Sequence, residues 1–121
     1  MSGEYLDGFK EGFWTISVHG YKQEGEYLEG YRTGKWKHYY PSGKLEFQGS
    51  FVDGVPDTKH IWYYENGKMK KQGVYINYIS NDLWTYYNED GQTTLRIRYD
   101  NGIEVEYDAI RITPELKPED F

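Results

Sequence analysis

Three histidines, His19, His38 and His60, are the residues whose type suits a transition metal, and they fall in successive segments of the chain. Imidazole nitrogen is a common zinc ligand, but such a site needs several ligands in tetrahedral geometry. His19 precedes a glycine in a predicted turn, and the chain has no cysteine that could complete a ligand set. We therefore predict surface histidines, no bound metal and no other cofactor.

Carboxylates are the second candidate for chemistry, because a pair of them could act as general acid and base. Such a pair needs a pocket that separates the two pKa values, and no spacing in this chain singles out two partners. The sequence also lacks a nucleophile elbow, and its glycines do not open helices as a phosphate-binding loop would. We expect a protein that is not an enzyme. The acidic residues are scattered, among them Glu24, Glu26, Asp53, Asp57 and Glu65.

Aromatic residues interleaved with lysines are the third candidate, and their chemistry is that of a protein-binding surface. Tyrosine and tryptophan dominate the energetics of protein interfaces. The alternative is that the rings form cross-strand ladders that only stabilise a sheet. Both interpretations stay open. The predicted partner-binding residues are Trp36, Tyr40, Trp62, Tyr64, Trp84 and Tyr86, with Lys44, Lys68 and Lys70 between them.

A repeat of 24 residues must position these side chains. Gly43, Gly67 and Gly91 are spaced by this period, and so are Tyr27, Phe51, Tyr75 and Tyr99. A fixed period of this length indicates a repeat architecture. We divide the single domain, residues 1–121, into units at about 5–25, 26–49, 50–73 and 74–98, a final hairpin at 95–107 and a tail at 111–121.

Each unit carries a hairpin signal. The segments 41–43, 65–67, 89–91 and 100–102 predict three-residue loops that end in glycine, as in a type I turn followed by a left-handed residue. We predict positive φ at Gly43, Gly67, Gly91 and Gly102. A loop at 100–102 pairs Tyr99 with Ile103 and Arg98 with Glu104, which keeps arginine opposite glutamate.

The same pairing rule sorts the two faces of the sheet, because side chains alternate along a strand. It places the tryptophans on one face and the apolar residues that follow each loop on the other. The fourth unit has Tyr78 and Asp82 where Gly30 and Gly34 stand in the second, so we expect less regular curvature there. The second face is predicted to hold Tyr39, Leu45, Phe47, Ile61, Tyr63, Met69, Tyr87, Leu95 and Ile97.

Composition limits the class of partner. The net charge of -6 disfavours nucleic acid and favours a basic partner. No apolar run approaches the roughly 20 residues of a membrane span, and no signal peptide is visible, so we expect a cytoplasmic protein without a membrane span. Aromatic residues make up 19% of the chain while alanine occurs once, which favours strands and tight turns over helices.

The pattern Tyr-x-x-Gly-x-x-x-Gly-x-Trp-x-x-Tyr-Tyr-x-x-Gly-Lys-Leu, clearest at residues 27–45, resembles the MORN repeat. It is most similar to the bacterial variant of YwqK-type antitoxin-like proteins, and the resemblance covers about residues 5–107. It implies successive antiparallel hairpins in one elongated, twisted sheet. The implied roles are binding and scaffolding, and some members are thought to neutralise a toxin encoded nearby.

We therefore predict an all-β fold, a single elongated twisted antiparallel sheet of hairpins with a short C-terminal cap that begins near Thr113 and Pro114. The expected function is that of an immunity or antitoxin-like protein that binds a basic partner, either a toxin or an assembly component. A scaffold or peripheral membrane module, attached through Lys44, Lys68 and Lys70, is the alternative. Open edge strands could also pair between two copies of the chain.

Overall fold

The computed structural model describes the backbone of residues 2–76 and 79–109, and the side chains of those residues up to 105. These residues form ten strands in one antiparallel sheet, and the strand order in the sheet is the order in the chain. The predicted all-β sheet of consecutive hairpins is confirmed. The strands are β1 (Ser2–Leu6), β2 (Phe9–Val18), β3 (Tyr21–Leu28), β4 (Tyr31–Tyr39), β5 (Leu45–Val52), β6 (Val55–Tyr63), β7 (Met69–Ile76), β8 (Ile79–Tyr87), β9 (Thr93–Asp100) and β10 (Ile103–Ala109).

The sheet is open and is not closed into a barrel, so β1 and β10 are its two edges. With neighbouring strands about 4.8 Å apart, the nine steps from edge to edge span about 43 Å. None of the described residues is helical. The predicted C-terminal cap, at residues 111–121, lies outside the described residues.

Along one long side of the sheet, which we call the loop edge, the two-residue turn His19-Gly20 joins β2 to β3, and three-residue loops join β4 to β5, β6 to β7 and β8 to β9. In the loop 41–43, the Gly43 amide donates to the Tyr40 carbonyl at 2.8 Å, and the Tyr40 amide donates to the Lys44 carbonyl at 2.8 Å. The loops 65–67 and 89–91 repeat these bonds. The φ angles of Gly43, Gly67 and Gly91 are 91°, 91° and 90°, so the predicted left-handed glycines and the three hairpins are confirmed.

Two-residue turns join the strands along the opposite side, the turn edge. In Glu29-Gly30 and Asp53-Gly54 both residues have positive φ, which defines a type I′ turn. Asn101-Gly102 is a turn of the same kind, with φ of 51° and 82°. The predicted positive φ of Gly102 is therefore confirmed.

The predicted register of the last hairpin is wrong. Glu104 pairs with Tyr99 and not with Arg98, because Asn-Gly forms a two-residue turn and not the end of a three-residue loop. A bulge at Val105 then shifts the register, so that Glu106 pairs with Arg98. Because of this bulge, Arg98 lies opposite a glutamate as predicted, but that glutamate is Glu106 and not Glu104.

A bulge also follows every three-residue loop, and it reverses part of the predicted face assignment. Leu45 pairs with Tyr39 as predicted, but Phe47 pairs with His38, so Glu46 is the extra residue. An extra residue moves every later side chain of the strand to the other face. Phe47 therefore lies on the tryptophan face. Bulges at Lys70 and Thr94 move Lys71, Leu95 and Ile97 to that face in the same way.

A second irregularity recurs early in β2, β4, β6 and β8, where one residue takes the left-handed conformation. Gly12 and Gly34 supply it in β2 and β4, Thr58 in β6 with φ of 60°, and Asp82 in β8 with φ of 56°. Asp82 therefore keeps the left-handed conformation of the glycine that it replaces. Tyr78 lies outside the described residues.

Candidate functional site

Four large rings form a regular row on one face of the sheet, which we call the aromatic face. Each ring covers a glycine that lies eleven residues earlier in the chain. A Cβ on Gly25 would come within 2.3 Å of Cδ2 of Trp36, so only glycine admits the ring. The ring and glycine pairs are Trp14 with Gly3, Trp36 with Gly25, His60 with Gly49 and Trp84 with Gly73.

Each tryptophan of this row is held by a hydrogen bond and by an aromatic neighbour. Trp36 Nε1 donates to the carbonyl oxygen of Glu26 at 3.0 Å, and Trp14 and Trp84 make the equivalent bonds. The ring of Tyr27 meets Trp36 edge to face, with ring centroids 5.0 Å apart and an interplanar angle of 80°. Because the buried N–H is satisfied and the ring geometry is favourable, these tryptophans act as the core of a sheet that no other described element covers.

His60 takes the place of tryptophan in the third unit. Its side chain is 2% exposed, and its Nε2 lies 2.8 Å from the Ser50 carbonyl oxygen, where the other units place the indole N–H. Burial lowers the pKa of His60 against the opposing effect of its hydrogen bonds. The prediction of a surface histidine is therefore wrong for His60, because its equivalence to Trp36 and not to Trp62 was missed in the sequence.

The other two histidines differ from each other. His38 is half-buried, and burial together with the nearby Arg32 guanidinium lowers the pKa of His38 to about 4. Its buried Nε2 has no hydrogen-bond partner. His19 is exposed in a two-residue turn with φ of 52°. Within residues 2–76 and 79–109, no group of three or more histidines and carboxylates is arranged to hold a metal ion.

All six predicted partner-binding aromatic residues lie on the aromatic face, but they fall into two sets. Trp36 and Trp84 are 0% and 4% exposed and belong to the core. The other four are half-buried and present part of each ring to solvent. The two sets differ in burial because only the rings of Trp36 and Trp84 lie over a glycine. The accessible set, which we call the aromatic patch, consists of Tyr40, Trp62, Tyr64 and Tyr86.

Hydrogen bonds fix two tyrosines of the aromatic patch to the neighbouring hairpin. Tyr40 Oη donates to the carbonyl oxygen of Tyr63, and Tyr64 Oη donates to that of Tyr87 at 2.7 Å. Burial raises the pKa of Tyr40 above its ordinary value, and nearby carboxylates, Glu46 first, add to the shift. These rings are ordered before any partner arrives.

Cations stack on the aromatic face, and the two central ones were not among the predicted residues. Lys71 Nζ lies 4.5 Å from the Trp62 ring centroid and 5.9 Å from that of Tyr86. Burial, and secondarily Lys70, lowers the pKa of Lys71. The Arg32 guanidinium lies 4.7 Å from the Trp36 ring. The bulge at Lys70 explains why the sequence pattern concealed Lys71, since it reverses the face of each later residue.

The predicted lysines lie nearer the loop edge. Lys44 and Lys68 follow the three-residue loops and are exposed, and Lys68 Nζ donates to the Asp90 carbonyl oxygen at 3.0 Å. Lys70 Nζ lies 5.8 Å from the Tyr64 ring. One unbroken row of paired residues crosses the aromatic face without a carboxylate: Ile16, Gln23, His38, Phe47, Trp62, Lys71, Tyr86 and Leu95. This row thus carries Lys71 and no acidic side chain, while the carboxylates of Glu46 and Glu65 lie near Tyr40.

A shallow depression opens beside the aromatic patch at the third unit. Its volume is about 230 Å³. The depression lies at His60, whose imidazole is smaller than the indole rings at the equivalent positions of the row. Its floor is apolar, and neutral imidazole groups form part of its walls. The lining residues are His38, Phe47, Phe51, Pro56, His60, Trp62 and Tyr75.

Comparison with known families agrees with this geometry. The model of a family described as MORN repeat variant matches residues 32–53 and 56–77. No curated protein matches the chain. The part of the chain that the structure describes contains no helix long and apolar enough to cross a membrane. Residues 32–53 and 56–77 are therefore two adjacent repeats of the MORN variant type, whose repeats are generally modules that bind proteins or membranes.

Proposed function

We propose that this chain is a non-enzymatic module that binds another protein on its aromatic face. The observation that carries the proposal is the aromatic patch, four half-buried rings beside an apolar depression on a face that no other part of the described chain covers. Tyrosine and tryptophan in such positions are the residues from which interface hot spots are built. The patch centres on Trp62, which contacts Phe47 and lies under Lys71.

Rigidity supports the same proposal. Binding is weakened when side chains must be ordered at the interface, at about 0.5–1.5 kcal/mol for each rotamer-rich side chain. Here Tyr40 and Tyr64 are already held by hydrogen bonds to the next hairpin, and Lys71 already lies over Trp62. The aromatic patch therefore loses little side-chain entropy when a partner covers it.

The partner that we propose is a basic protein, in the manner of an immunity or antitoxin protein with its toxin. The net charge of -6 supports a basic partner. Carboxylates such as Glu24 lie on the opposite face, where Glu24 pairs with Lys37. Charge would therefore act by long-range steering of the encounter, which raises the association rate and weakens with salt, while the aromatic patch supplies the contact.

Affinity capture from the native host tests this function. The natural chain, Trp62→Ala and Ile61→Ala are the three baits, and Ile61 is the matched control because it is half-buried on the opposite face. We expect one basic protein with the natural chain and with Ile61→Ala, and its loss with Trp62→Ala at unchanged circular dichroism. Trp36 is unsuitable for this test because its ring is core. Equal recovery by all three baits would contradict the proposed site.

A scaffold or peripheral membrane module is the second candidate, and the exposed Lys44, Lys68 and Lys70 near the loop edge are the observation in its favour. Anionic lipid attracts clustered basic residues, but the acidic chain as a whole is repelled. Co-sedimentation with anionic vesicles, lost when the three lysines are changed to glutamine, would favour this candidate over a protein partner.

A further inference from the structure

An exposed apolar row runs along the turn edge on the face opposite the aromatic face. It consists of directly paired residues, one pair from each of four successive hairpins, and their side chains are 36–59% exposed. We call this row the turn stripe. Its pairs are Leu6 with Phe9, Leu28 with Tyr31, Val52 with Val55 and Ile76 with Ile79.

We infer that the turn stripe is a docking site for a basic amphipathic helix of a partner protein, with its centre at the pairs Leu28–Tyr31 and Val52–Val55. Cross-strand apolar pairs stabilise a sheet on their own. That role does not explain why eight apolar side chains stay exposed in one line, since a contiguous patch of this kind marks an interaction surface.

Contacts between hairpins make the stripe continuous. The Phe9 ring lies against Gly30, where a Cβ would come within 2.9 Å of its Cδ1. The Tyr31 ring lies against Gly54 in the same way, at 3.0 Å. The glycines of the type I′ turns thus leave room for the side chain of the preceding hairpin, and no polar side chain interrupts the row at these points.

The backbone at the turn edge offers little to an extended partner. The amides of Gly30 and Gly54 donate to the carbonyls of Lys10 and Arg32 at 3.0 and 2.9 Å, so these groups are already paired. A partner lying across the stripe must satisfy its own backbone hydrogen bonds, and an α-helix does so within itself.

The spacing of the pairs also fits a helix. Equivalent pairs are two strands apart, which is about 9.6 Å, and seven residues of helix rise about 10.5 Å. An extended strand covers about 10 Å in three residues, but an odd step places the third side chain on the other side. A helix with apolar residues seven apart therefore meets two successive pairs, while a strand does not.

The acidic residues that border the turn stripe favour a basic helix as the partner. The first residue of three successive turns is acidic and exposed: Asp7, Glu29 and Asp53. These carboxylates border the stripe on its outer side, and the inner neighbours Glu26, Lys35, Asp57 and Lys59 have mixed charge. An anionic membrane and a second copy of this acidic edge are both disfavoured by the outer border, whereas lysine or arginine beside the apolar residues of a helix would complement it.

A synthetic peptide tests the proposal. The probe is a fluorescein-labelled helix of about three heptads with leucine seven residues apart and lysine on one flank, and the control peptide has glutamate in place of lysine. We expect binding of the lysine peptide to the natural chain by fluorescence anisotropy. We expect about tenfold weaker binding to the double variant Val52→Ser, Val55→Ser, and a smaller, salt-dependent loss with Asp53→Asn.

Trp62→Ala is the matched control, because it changes the opposite face and should leave peptide binding unchanged. If the serine variant loses its circular dichroism, Leu28→Ser with Tyr31→Ser replaces it. Failure of the lysine peptide to bind, or equal binding of both peptides, would overturn the proposal. The proposal would also be overturned if the natural chain formed a dimer, or bound vesicles, and the serine variant abolished that association. A second copy or a membrane would then be the occupant of the turn stripe. None of these results bears on the aromatic face.

Discussion

His60 lies over Gly49 in the third unit as Trp36 lies over Gly25 in the second. A Cβ on Gly49 would come within 2.6 Å of His60 Nδ1. The Nε2 of His60 bonds the Ser50 carbonyl at 2.8 Å, which matches the bond from Trp36 Nε1 to Glu26. One structural position of the repeat thus accepts either indole or imidazole, provided that the ring is flat and carries an N–H donor. The consequences can be measured.

Trp36→Ala should remove about 3–5 kcal/mol from the free energy of unfolding. Its ring is 0% exposed, so the substitution leaves a cavity and an unpaired Glu26 carbonyl. Urea denaturation followed by circular dichroism is the measurement. Trp62→Ala is the control, and it should cost less because Trp62 is half-buried. Equal losses for both variants would contradict the division into core and accessible rings.

Gly25→Ala should destabilise the fold, and Trp36→Ala should relieve part of that loss. The Cβ of an alanine would lie 2.3 Å from Cδ2 of Trp36, a contact that the buried ring cannot avoid. In the double variant the ring is absent, so we expect a coupling of at least about 1 kcal/mol. A double-mutant cycle in urea measures it, and strict additivity would show that Gly25 is required for another reason.

The free energy of unfolding should fall as the pH drops below about 6.5. Burial lowers the pKa of His60, and it lowers that of His38 to about 4. The unfolded chain therefore binds more protons than the folded chain in this window, and protonation favours unfolding. The contribution of the two histidines to the free energy of unfolding should be fully present above about pH 6.5. It should decline as the pH approaches their pKa values in the folded chain.

Urea midpoints at about pH 7.5 and about pH 5 measure this effect, because most carboxylates stay ionised over that range. His60→Gln is the control. It removes one titrating group, so its stability should change less between the two values. An unchanged pH dependence in that variant would show that His60 does not contribute.

Thr58→Gly should stabilise the protein. Thr58 has φ of 60°, a conformation that a β-branched residue rarely adopts, and the equivalent residues in β2 and β4 are glycines. Relief of about 1–3 kcal/mol of strain is offset by about 0.5–1 kcal/mol of glycine entropy. A net gain near 1 kcal/mol is expected in thermal or urea unfolding.

Lys59→Gly is the control for that gain. Lys59 is the next residue, is exposed, and has no positive φ, so glycine there should destabilise the strand. A loss of stability with both variants would indicate that Thr58 is not strained.

The sequence alone was sufficient for the architecture. The 24-residue period, the three loops that end at Gly43, Gly67 and Gly91, and the alternation of turns and strands predicted repeated hairpins that form a sheet. These signals are local, since a left-handed glycine and a short loop act within a few residues. The resemblance to the MORN repeat added that the hairpins form a single open sheet. The family model that matches residues 32–53 and 56–77 supports this resemblance for those residues.

The assignment of side chains to the two faces of the sheet could not be predicted from the sequence in the same way. One extra residue at Glu46, Lys70 and Thr94 reverses every later side chain, and no residue type at these positions announces a bulge. Phe47, Leu95 and Ile97 were therefore placed on the wrong face. The last hairpin failed for a similar reason, because Asn101-Gly102 can end a three-residue loop or form a two-residue turn.

Local sequence thus determined which elements form and in what order they pair, because turn chemistry and strand period act over short distances. Tertiary packing determined which rings are core and which are accessible. Trp36 and Trp62 are the same residue type in similar sequence surroundings, yet only Trp36 has a glycine beneath it on the neighbouring strand. Burial depends on that cross-strand neighbour, which the register selects, and a register that contains bulges is decided by the sheet as a whole.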